Sequence, residues 1–382
     1  MRSLALLRPR ALSVCAVLAL FGVAGCSTKS NSAVSVSGSS LTIYGSQEPG
    51  GVGGQTAVDV LDAEQLAFQQ NGSKVGGFSV SFVKLHGAKL SDNPRTAVQN
   101  QSAVAYLGEI APGTSQVSVE ITNELDLLQV SPTDTAVYLT QSTPAVPGAP
   151  GTYHPSSSSY HETFARVVPT TAQEAKAIVS EMQALHLSKL YVADDGQAYG
   201  ASIALEVRQD APAHGLTVVS SPSGADAVFY GGNAYAASAA ALDHAADASP
   251  AARLFAPSAL YDSSFVSRLS ASAQRNLYVS SPGFTPATLT PAGKQFEASF
   301  ASTFGHDPAP EAIFGYEAMA AVLAVLKEAG GAAKNRATVV SDFRSIKDRQ
   351  SVLGTYSIVG GDPTIAPFIF ARVRGGALVP LK

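Results

Sequence analysis

The chain contains 382 residues, of which 46% are hydrophobic and only 14% are charged. This composition supports a sizeable buried core, suits two domains and excludes a largely disordered chain. The chain has 25 basic and 29 acidic residues and a formal net charge of −4, so it lacks the basic excess of nucleic-acid-binding proteins.

The first elements form an export signal. Arginines at positions 2, 8 and 10 precede an apolar stretch over 11–25, which is too short for a comfortable membrane span. The stretch ends in Val23-Ala24-Gly25-Cys26, and small residues before a cysteine resemble the bacterial lipobox. That resemblance implies that signal peptide 1–25 is removed and that acylated Cys26 anchors an exported protein to the outer face of the cell membrane. A plain secretory signal or an uncleaved anchor is the alternative.

Residues 26–40 are rich in serine and predict a flexible tether, with order beginning at Leu41. From there apolar strand patterns alternate with helical ones, which indicates parallel sheets covered on both faces. The first predicted strands are Leu41–Ser46, Phe78–His86, Val104–Ile110 and Leu125–Val130.

The segment 141–163 interrupts this rhythm with four prolines and a serine run, and it predicts a long surface loop. Its histidines, His154 and His161, have no acidic or thiol neighbours at metal-ligand spacing, so we expect them to be solvated rather than metal-bound. A second α/β series follows, and Thr171 with Glu174 predicts a capping box at the start of its first helix. Its predicted strands are Phe164–Pro169, Lys189–Asp195, Leu216–Ser221, Ala225–Gly232, Leu254–Pro257, Arg275–Phe284, Gly354–Val359 and Phe368–Arg374.

Six blocks in the right order resemble the type I periplasmic solute-binding proteins of the branched-chain amino-acid importer family. The blocks are Tyr106–Ile110 with Leu127–Thr135, Phe164–Gln173, Lys189–Gly200, Ala227–Gly232, Phe314–Ala318, and Gly354–Tyr356 with Gly360–Asp362. Together they extend the resemblance over nearly all of the chain from Leu41 onward.

The resemblance implies an α/β fold of two Rossmann-like lobes joined by a three-crossing hinge. Lobe one would comprise 41–166 and 283–352, and lobe two would comprise 167–282 and 353–382. Ligand would bind between the lobes at the carboxyl ends of the strands, and the lobes would close on it. An ABC permease and its ATPases would be the partners, with no cofactor and no catalysis.

The resemblance also implies candidate ligand-binding residues, namely Thr114, Ser115, Thr133, Thr135, Thr171, Tyr199 and Ser258. Ordinary capping and turn chemistry, or a core position for Tyr199, is the alternative for each. Tyr235, Phe314 and Tyr316 are weaker candidates for the cleft wall. Pro112 stands where the family often has a serine donor.

Thr171 and Ser258 match positions at which amino-acid binders carry acids for the ligand's ammonium group. Hydroxyl groups cannot neutralise that charge, so the sequence predicts a ligand without a free ammonium, such as a carboxylate or an amide. Asp194, Asp195 or Asp262 reaching the cleft would reverse this prediction.

Other patterns carry little chemistry. Gly50–Gly54 is glycine-rich, but no Lys-Ser or Lys-Thr follows it, so we expect it to shape the cleft rather than bind phosphate. Asp194 and Asp195 are adjacent and predict a strand-end turn. The sequence shows no nucleophile motif, which argues against an enzyme; a lipid-tethered sensor or scaffold is the alternative to a transport receptor.

Overall fold

The computed structural model describes residues 34–49, 53–154 and 162–381. The predicted α/β class is confirmed, because the apolar strand segments form two mainly parallel sheets. The strands of the first sheet are β1 Ser40–Gln47, β2 Lys74–Val75, β3 Phe78–His86, β4 Ala103–Leu107, β5 Leu128–Ser131 and β6 Phe164–Arg166. They lie in the order β2-β3-β1-β4-β5-β6, in which β2 alone is antiparallel.

The second sheet has seven strands in the order β17-β16-β11-β10-β9-β7-β8, with β16 and β17 antiparallel to their neighbours. These strands are β7 Lys189–Asp194, β8 Thr217–Val219, β9 Ala227–Gly231, β10 Arg253–Ala256, β11 Leu277–Pro282, β16 Phe368–Arg374 and β17 Ala377–Pro380. Two small hairpins lie between β11 and β16 in the chain, namely β12 Arg349–Ser351 with β13 Gly354–Tyr356, and β14 Ile358–Val359 with β15 Asp362–Pro363.

Eleven α-helices cover the sheets within the described residues. They are α1 Gly54–Asn71, α2 Asp92–Gln99, α3 Ser115–Asn123, α4 Thr171–Ala184, α5 Ala198–Asp210, α6 Tyr235–Ala248, α7 Ser263–Val266, α8 Ala271–Asn276, α9 Pro291–Phe304, α10 Ala312–Ala329 and α11 Arg336–Arg344. No helix in these described ranges has the length and apolarity that a membrane crossing requires.

Each sheet has its own buried core. Helix α10 packs its apolar residues, including Phe314 and Met319, into the core of the first sheet. Helices α4 and α5 cover one face of the second sheet, and α6 and α8 cover the other. Both sheets belong to one compact unit.

The tether prediction is wrong for its last residues. The backbone of Val36 donates to the carbonyl of Lys334 at 2.7 Å, and Val34 accepts from the N–H of Arg336 at 3.1 Å. Val36 is also buried, because its apolar side chain packs into the first core. The predicted signal peptide, Cys26, the earlier tether residues, Gly50–Val52 and His161 lie outside the described residues.

The expectation that His154 is solvated is wrong, although about half of the described residues 141–154 are exposed, as the predicted surface loop requires. Tyr153 packs its ring against Tyr138, with the centroids 5.4 Å apart, and Ala149 is buried. His154 is only 4% exposed, and its Nε2 lies 3.0 Å from the carbonyl of Leu139. Burial lowers the pKa of His154, as expected for an imidazole removed from water.

The predicted capping box is displaced by one residue. Thr170, rather than Thr171, caps α4, and its side chain accepts from the N–H of Gln173 while Gln173 accepts from the N–H of Thr170. Glu174 is therefore free to turn inward, where it bonds to Ser258 and Ser280.

Candidate functional site

A pocket lies where the carboxyl ends of β4, β9 and β10 face one another. Open α/β sheets bind ligands at this edge because the loops that follow parallel strands meet there. The pocket encloses about 510 Å³ of empty space including its open mouth, and it is lined by Gly53, Thr56, Ile110, Ala111, Pro112, Thr114, Asn233, Tyr235, Ser258, Ala259, Tyr261 and Glu311. The side-chain amide of Asn233, in the loop after β9, donates to the carbonyl of Pro112, in the loop after β4, at 3.2 Å.

Glu48 holds the loop that follows β4. This residue lies just beyond β1, and one carboxylate oxygen, Oε1, accepts from the N–H groups of Ile110 at 2.6 Å and Ala111 at 2.7 Å. The hydroxyl of Thr114 approaches the same oxygen at 3.3 Å. The other oxygen of Glu48, Oε2, is buried without a hydrogen bond among the described residues.

The remaining N–H groups of this loop are also bonded within the chain. Asp134 accepts from Gly113 at 2.7 Å and from Ser115 at 2.9 Å. The N–H of Thr114 donates to the carbonyl of Ala111. The loop therefore satisfies its own donors with two of the chain's carboxylates before any ligand binds.

Behind Glu48 lies a group of buried acids. Glu109 accepts from Ser46 at 2.6 Å and from the hydroxyl of Tyr106. Burial raises the pKa of Glu109 to about 8, with the nearby charge of Glu48 adding to the shift, and burial raises the pKa of Glu48 to about 7. Burial also holds the pKa of Glu64 well above its usual range. Within the described ranges no group of three or more His, Cys, Asp or Glu side chains is arranged to hold a metal ion.

Glu311 is the acidic side chain of the pocket wall. It precedes α10, is 5% exposed, and accepts from the hydroxyl of Ser281 at 3.3 Å. No lysine, arginine or histidine is among the described residues that line the pocket. Burial, together with the charge of Glu174, raises the pKa of Glu311 to about 8.

The structure brings only some of the sequence-predicted residues to the pocket. Thr114 and Ser258 line it, although both are engaged internally, Thr114 with the carbonyl of Ala111 and Ser258 with Glu174. The other five candidates are buried and do not line the pocket: Ser115, Thr133, Thr135, Thr171 and Tyr199.

The bonding of those buried candidates is mixed. Ser115 accepts from the N–H of Glu109, Thr133 donates to the carbonyl of Ile110, and Thr171 accepts from the N–H of Val137. The hydroxyl of Tyr199 lies within reach of Thr135, Ser258 and the backbone of Ala259, so these buried groups can bond to one another. Their contact with ligand stays a prediction.

Among the weaker candidates, Tyr235 lines the pocket, whereas Phe314 and Tyr316 do not. Phe314 is fully buried against Phe284, and the hydroxyl of Tyr316 donates to Gln70 at 2.7 Å. Gly53, within the glycine-rich segment, lines the pocket as expected. Asp194 and Asp195 form a strand-end turn, in which they accept from the N–H groups two residues ahead.

Sequence reasoning missed Glu48, Glu311, Asn233 and Tyr261. Glu48 and Asn233 carried a usable signal, because each follows an apolar strand by one or two residues and so lies at the ligand-binding edge. Glu311 carried no such signal, since its position depends on how α10 packs.

Comparisons with known proteins agree with this architecture. The family model described as periplasmic binding protein matches residues 220–377. No curated protein matches the chain significantly. This match includes the last three of the six sequence blocks, and the solved structures confirm the predicted type I fold.

Three solved structures illustrate the likeness. A leucine-binding protein from Thermotoga maritima is 17% identical with a TM-score of 0.71, and the match covers 90% of this chain and 98% of that one. An ABC transporter substrate-binding protein from Desulfitobacterium hafniense, in complex with leucine, is 19% identical with a TM-score of 0.71, covering 90% and 100%. A solute-binding protein from R. palustris, in complex with benzoate, is 19% identical with a TM-score of 0.67, covering 90% and 96%. At these identities the likeness shows the type I periplasmic-binding-protein fold.

Proposed function

From the type I periplasmic-binding-protein fold and the family match over residues 220–377, we propose that this chain is the exported, solute-binding component of an ABC importer. It captures a small polar solute, amino-acid-like or carboxylate, between lobes 41–166 plus 283–352 and 167–282 plus 353–382. It passes the solute to a permease driven by ATPases and catalyses no reaction. The observation that carries the proposal is the pocket at the carboxyl ends of strands from both sheets.

The chemistry of the described residues supports binding rather than catalysis. The pocket contains one carboxyl group, two tyrosines, three hydroxyl-bearing Ser or Thr residues and an amide, which is a typical set of orienting groups. Ser180 and His214 lie 3.3 Å apart on exposed surface, but the other ring nitrogen of His214 faces a backbone carbonyl rather than a carboxylate. That contact lacks the orienting third group of a catalytic triad.

The test is to identify and then rebind the natural solute. The chain lacking residues 1–25 is purified, its small molecules are released by denaturation, and mass spectrometry identifies any bound in stoichiometric amount. Adding that solute to ligand-free protein is expected to reduce the radius of gyration in small-angle X-ray scattering, because two lobes close around it.

Two alanines provide matched variants for this experiment. Ala259 lines the pocket, so Ala259→Phe fills it and is expected to abolish both binding and compaction. Ala240 lies on the exposed side of α6, so Ala240→Phe adds the same ring without touching the pocket. Equal binding by both variants, or tight binding without compaction, would contradict the proposed cleft function.

The anchor is a separate part of the proposal. Replacing Cys26 with serine removes the thiol that acylation requires, and the protein is expected to move from the membrane fraction to the soluble fraction. Fractionation and intact mass measure this shift. Cys15→Ser is the control, because Cys15 leaves with the signal and should change neither location nor mature mass. A wild-type protein that lacks residues 1–25 and carries no acyl mass rules out the anchor.

A further inference from the structure

The pocket has no free donors where its wall is formed by the loop after β4. A carboxylate ligand binds most readily to backbone N–H groups that have no other partner. Here the N–H groups of Ile110 and Ala111, both in the pocket lining, already donate to Glu48 at 2.6 and 2.7 Å. Glu48 is 3% exposed, so this internal carboxylate is a built part of the wall rather than a surface contact.

Above about pH 8, where Glu311 is ionised, the same wall repels a second anion. Glu311 presents a buried carboxyl to the pocket, and Glu48 lies behind the lining residues Ile110 and Ala111, with its Oε2 free of hydrogen bonds among the described residues. No cationic side chain among the described lining residues offsets either group. Two anions enclosed at short range destabilise one another unless one is protonated or displaced.

Glu311 has the environment of a cation receptor. Its one hydrogen bond among the described residues, from Ser281, is long at 3.3 Å, and no ion pair reaches it. The rings of Tyr235 and Tyr261 line the same pocket, and aromatic faces attract ammonium groups. A ligand ammonium would supply the counter-charge that the described chain does not.

We propose that the ligand of this pocket bears an ammonium group and an otherwise uncharged remainder, as in an amine or an amino-acid amide. Glu311 receives the ammonium, and Glu48 occupies the donors that a ligand carboxylate would need. This inference rests on the proposed solute-binding function and narrows its ligand class. It departs from the sequence-based expectation of a ligand without an ammonium, which considered only Thr171 and Ser258, whereas Glu311 provides an acid in the pocket wall.

The protonation of Glu311 gives the proposal a pH signature. Its pKa is raised to about 8 by burial and by Glu174, and the groups that face it are Glu174, Tyr235, Tyr261 and Ser281. Below pH 8 an ammonium ligand must displace a proton from Glu311, so binding releases protons and weakens as pH falls. Between pH 8 and the pKa of the amine itself, the affinity is expected to level off.

The experiment uses pairs of probes that share a carbon skeleton. The pairs are 3-methylbutylamine with 3-methylbutanoate, leucinamide with leucine, and benzylamine with benzoate, tested by thermal shift and then by calorimetry. The mature chain is expected to bind at least one amine or amide about 10- to 100-fold more tightly than its carboxylate partner. Calorimetry at pH 7 in buffers of different ionisation enthalpy should register the released proton.

Three variants test the contributions of Glu311 and Glu48 separately. Glu311→Gln is expected to lose the preference for amines and the proton release. Glu48→Ala frees the N–H groups of Ile110 and Ala111 and is expected to gain binding of the carboxylate or of leucine. Glu48→Gln keeps an acceptor on those N–H groups, so it should not gain carboxylate binding, which distinguishes freed donors from a mere loss of charge.

The outcomes distinguish failure of the ammonium assignment from failure of the proposed solute-binding function. Carboxylates that bind the wild-type protein as tightly as their amines, or amine binding unchanged in Glu311→Gln, overturn the ammonium assignment and leave the solute receptor standing. A chain that binds no probe and carries no co-purified molecule overturns both.

Discussion

Replacing Arg166 with methionine is expected to lower the free energy of unfolding by about 3–5 kcal/mol, the usual cost of breaking a buried ion pair from one side. The guanidinium is fully buried, and its Nε lies 2.9 Å from Oδ1 of Asp362. Its other nitrogens donate to the carbonyl of Asp134 at 2.7 Å and to the hydroxyl of Thr140 at 3.0 Å. Methionine matches the apolar stem but removes the cation that contacts the carboxylate of Asp362, which keeps only Arg344 as a neighbouring positive charge.

The effect of Arg166 reaches the pocket because Asp134, whose carbonyl it holds, accepts from the N–H groups of Gly113 and Ser115. Urea denaturation measures the stability. Arg374→Met, at the exposed end of β16, is the matched control and should change the unfolding free energy by less than about 0.5 kcal/mol. The double variant with Asp362→Asn should recover part of the loss, since it removes the charge that Arg166 balanced. An Arg166→Met protein within about 1 kcal/mol of wild type would show that this ion pair does not hold the fold together.

The main strands could be predicted from sequence because they show either continuous apolar runs or regular apolar–polar alternation. Predicted strand Phe78–His86 coincides with β3, and Lys189–Asp195 extends one residue beyond β7. The predicted strand Gly354–Val359 is wrong, because this segment is divided between two hairpins whose strands, β12–β15, are only two or three residues long and too short to show periodicity. The predicted strand 275–284 begins two residues too early, because 275 and 276 belong to α8 and β11 begins at Leu277. Helix α8 was missed because its segment lacks apolar periodicity; Ser270 caps it.

The pocket was harder to predict than the fold. Thr114 and Ser258 were chosen through the family resemblance, and both lie in loops that follow parallel strands, β4 and β10, at the edge where the pocket lies. His154 was misjudged because proline and serine composition indicates a surface loop, whereas its bond to Leu139 and the packing of Tyr153 are long-range contacts. The role of Glu48 could not be predicted from the sequence, since its N–H partners lie 62 and 63 residues further along the chain.

Replacing Gly315 with alanine is expected to destabilise the protein by about 1–3 kcal/mol, even though alanine favours helices. Gly315 is in the first turn of α10, where that helix crosses α1. A Cβ atom at this position would lie 2.4 Å from the carbonyl oxygen of Val60 and 2.9 Å from its Cγ1 atom. Backbone cannot rotate away as a side chain can, so the two helices must separate.

That separation should also weaken ligand binding, because Thr56 on α1 and Glu311 at the start of α10 line the pocket together. Urea denaturation and calorimetry with the best-binding probe measure the two effects on the same variant. Gly331→Ala is the control, since a Cβ there meets no atom within 4 Å and the position follows α10 rather than crossing α1. A stable Gly315→Ala protein would show that the helices tolerate the added carbon. Lost stability with unchanged affinity would show instead that Glu311 keeps its place in the pocket when α10 shifts.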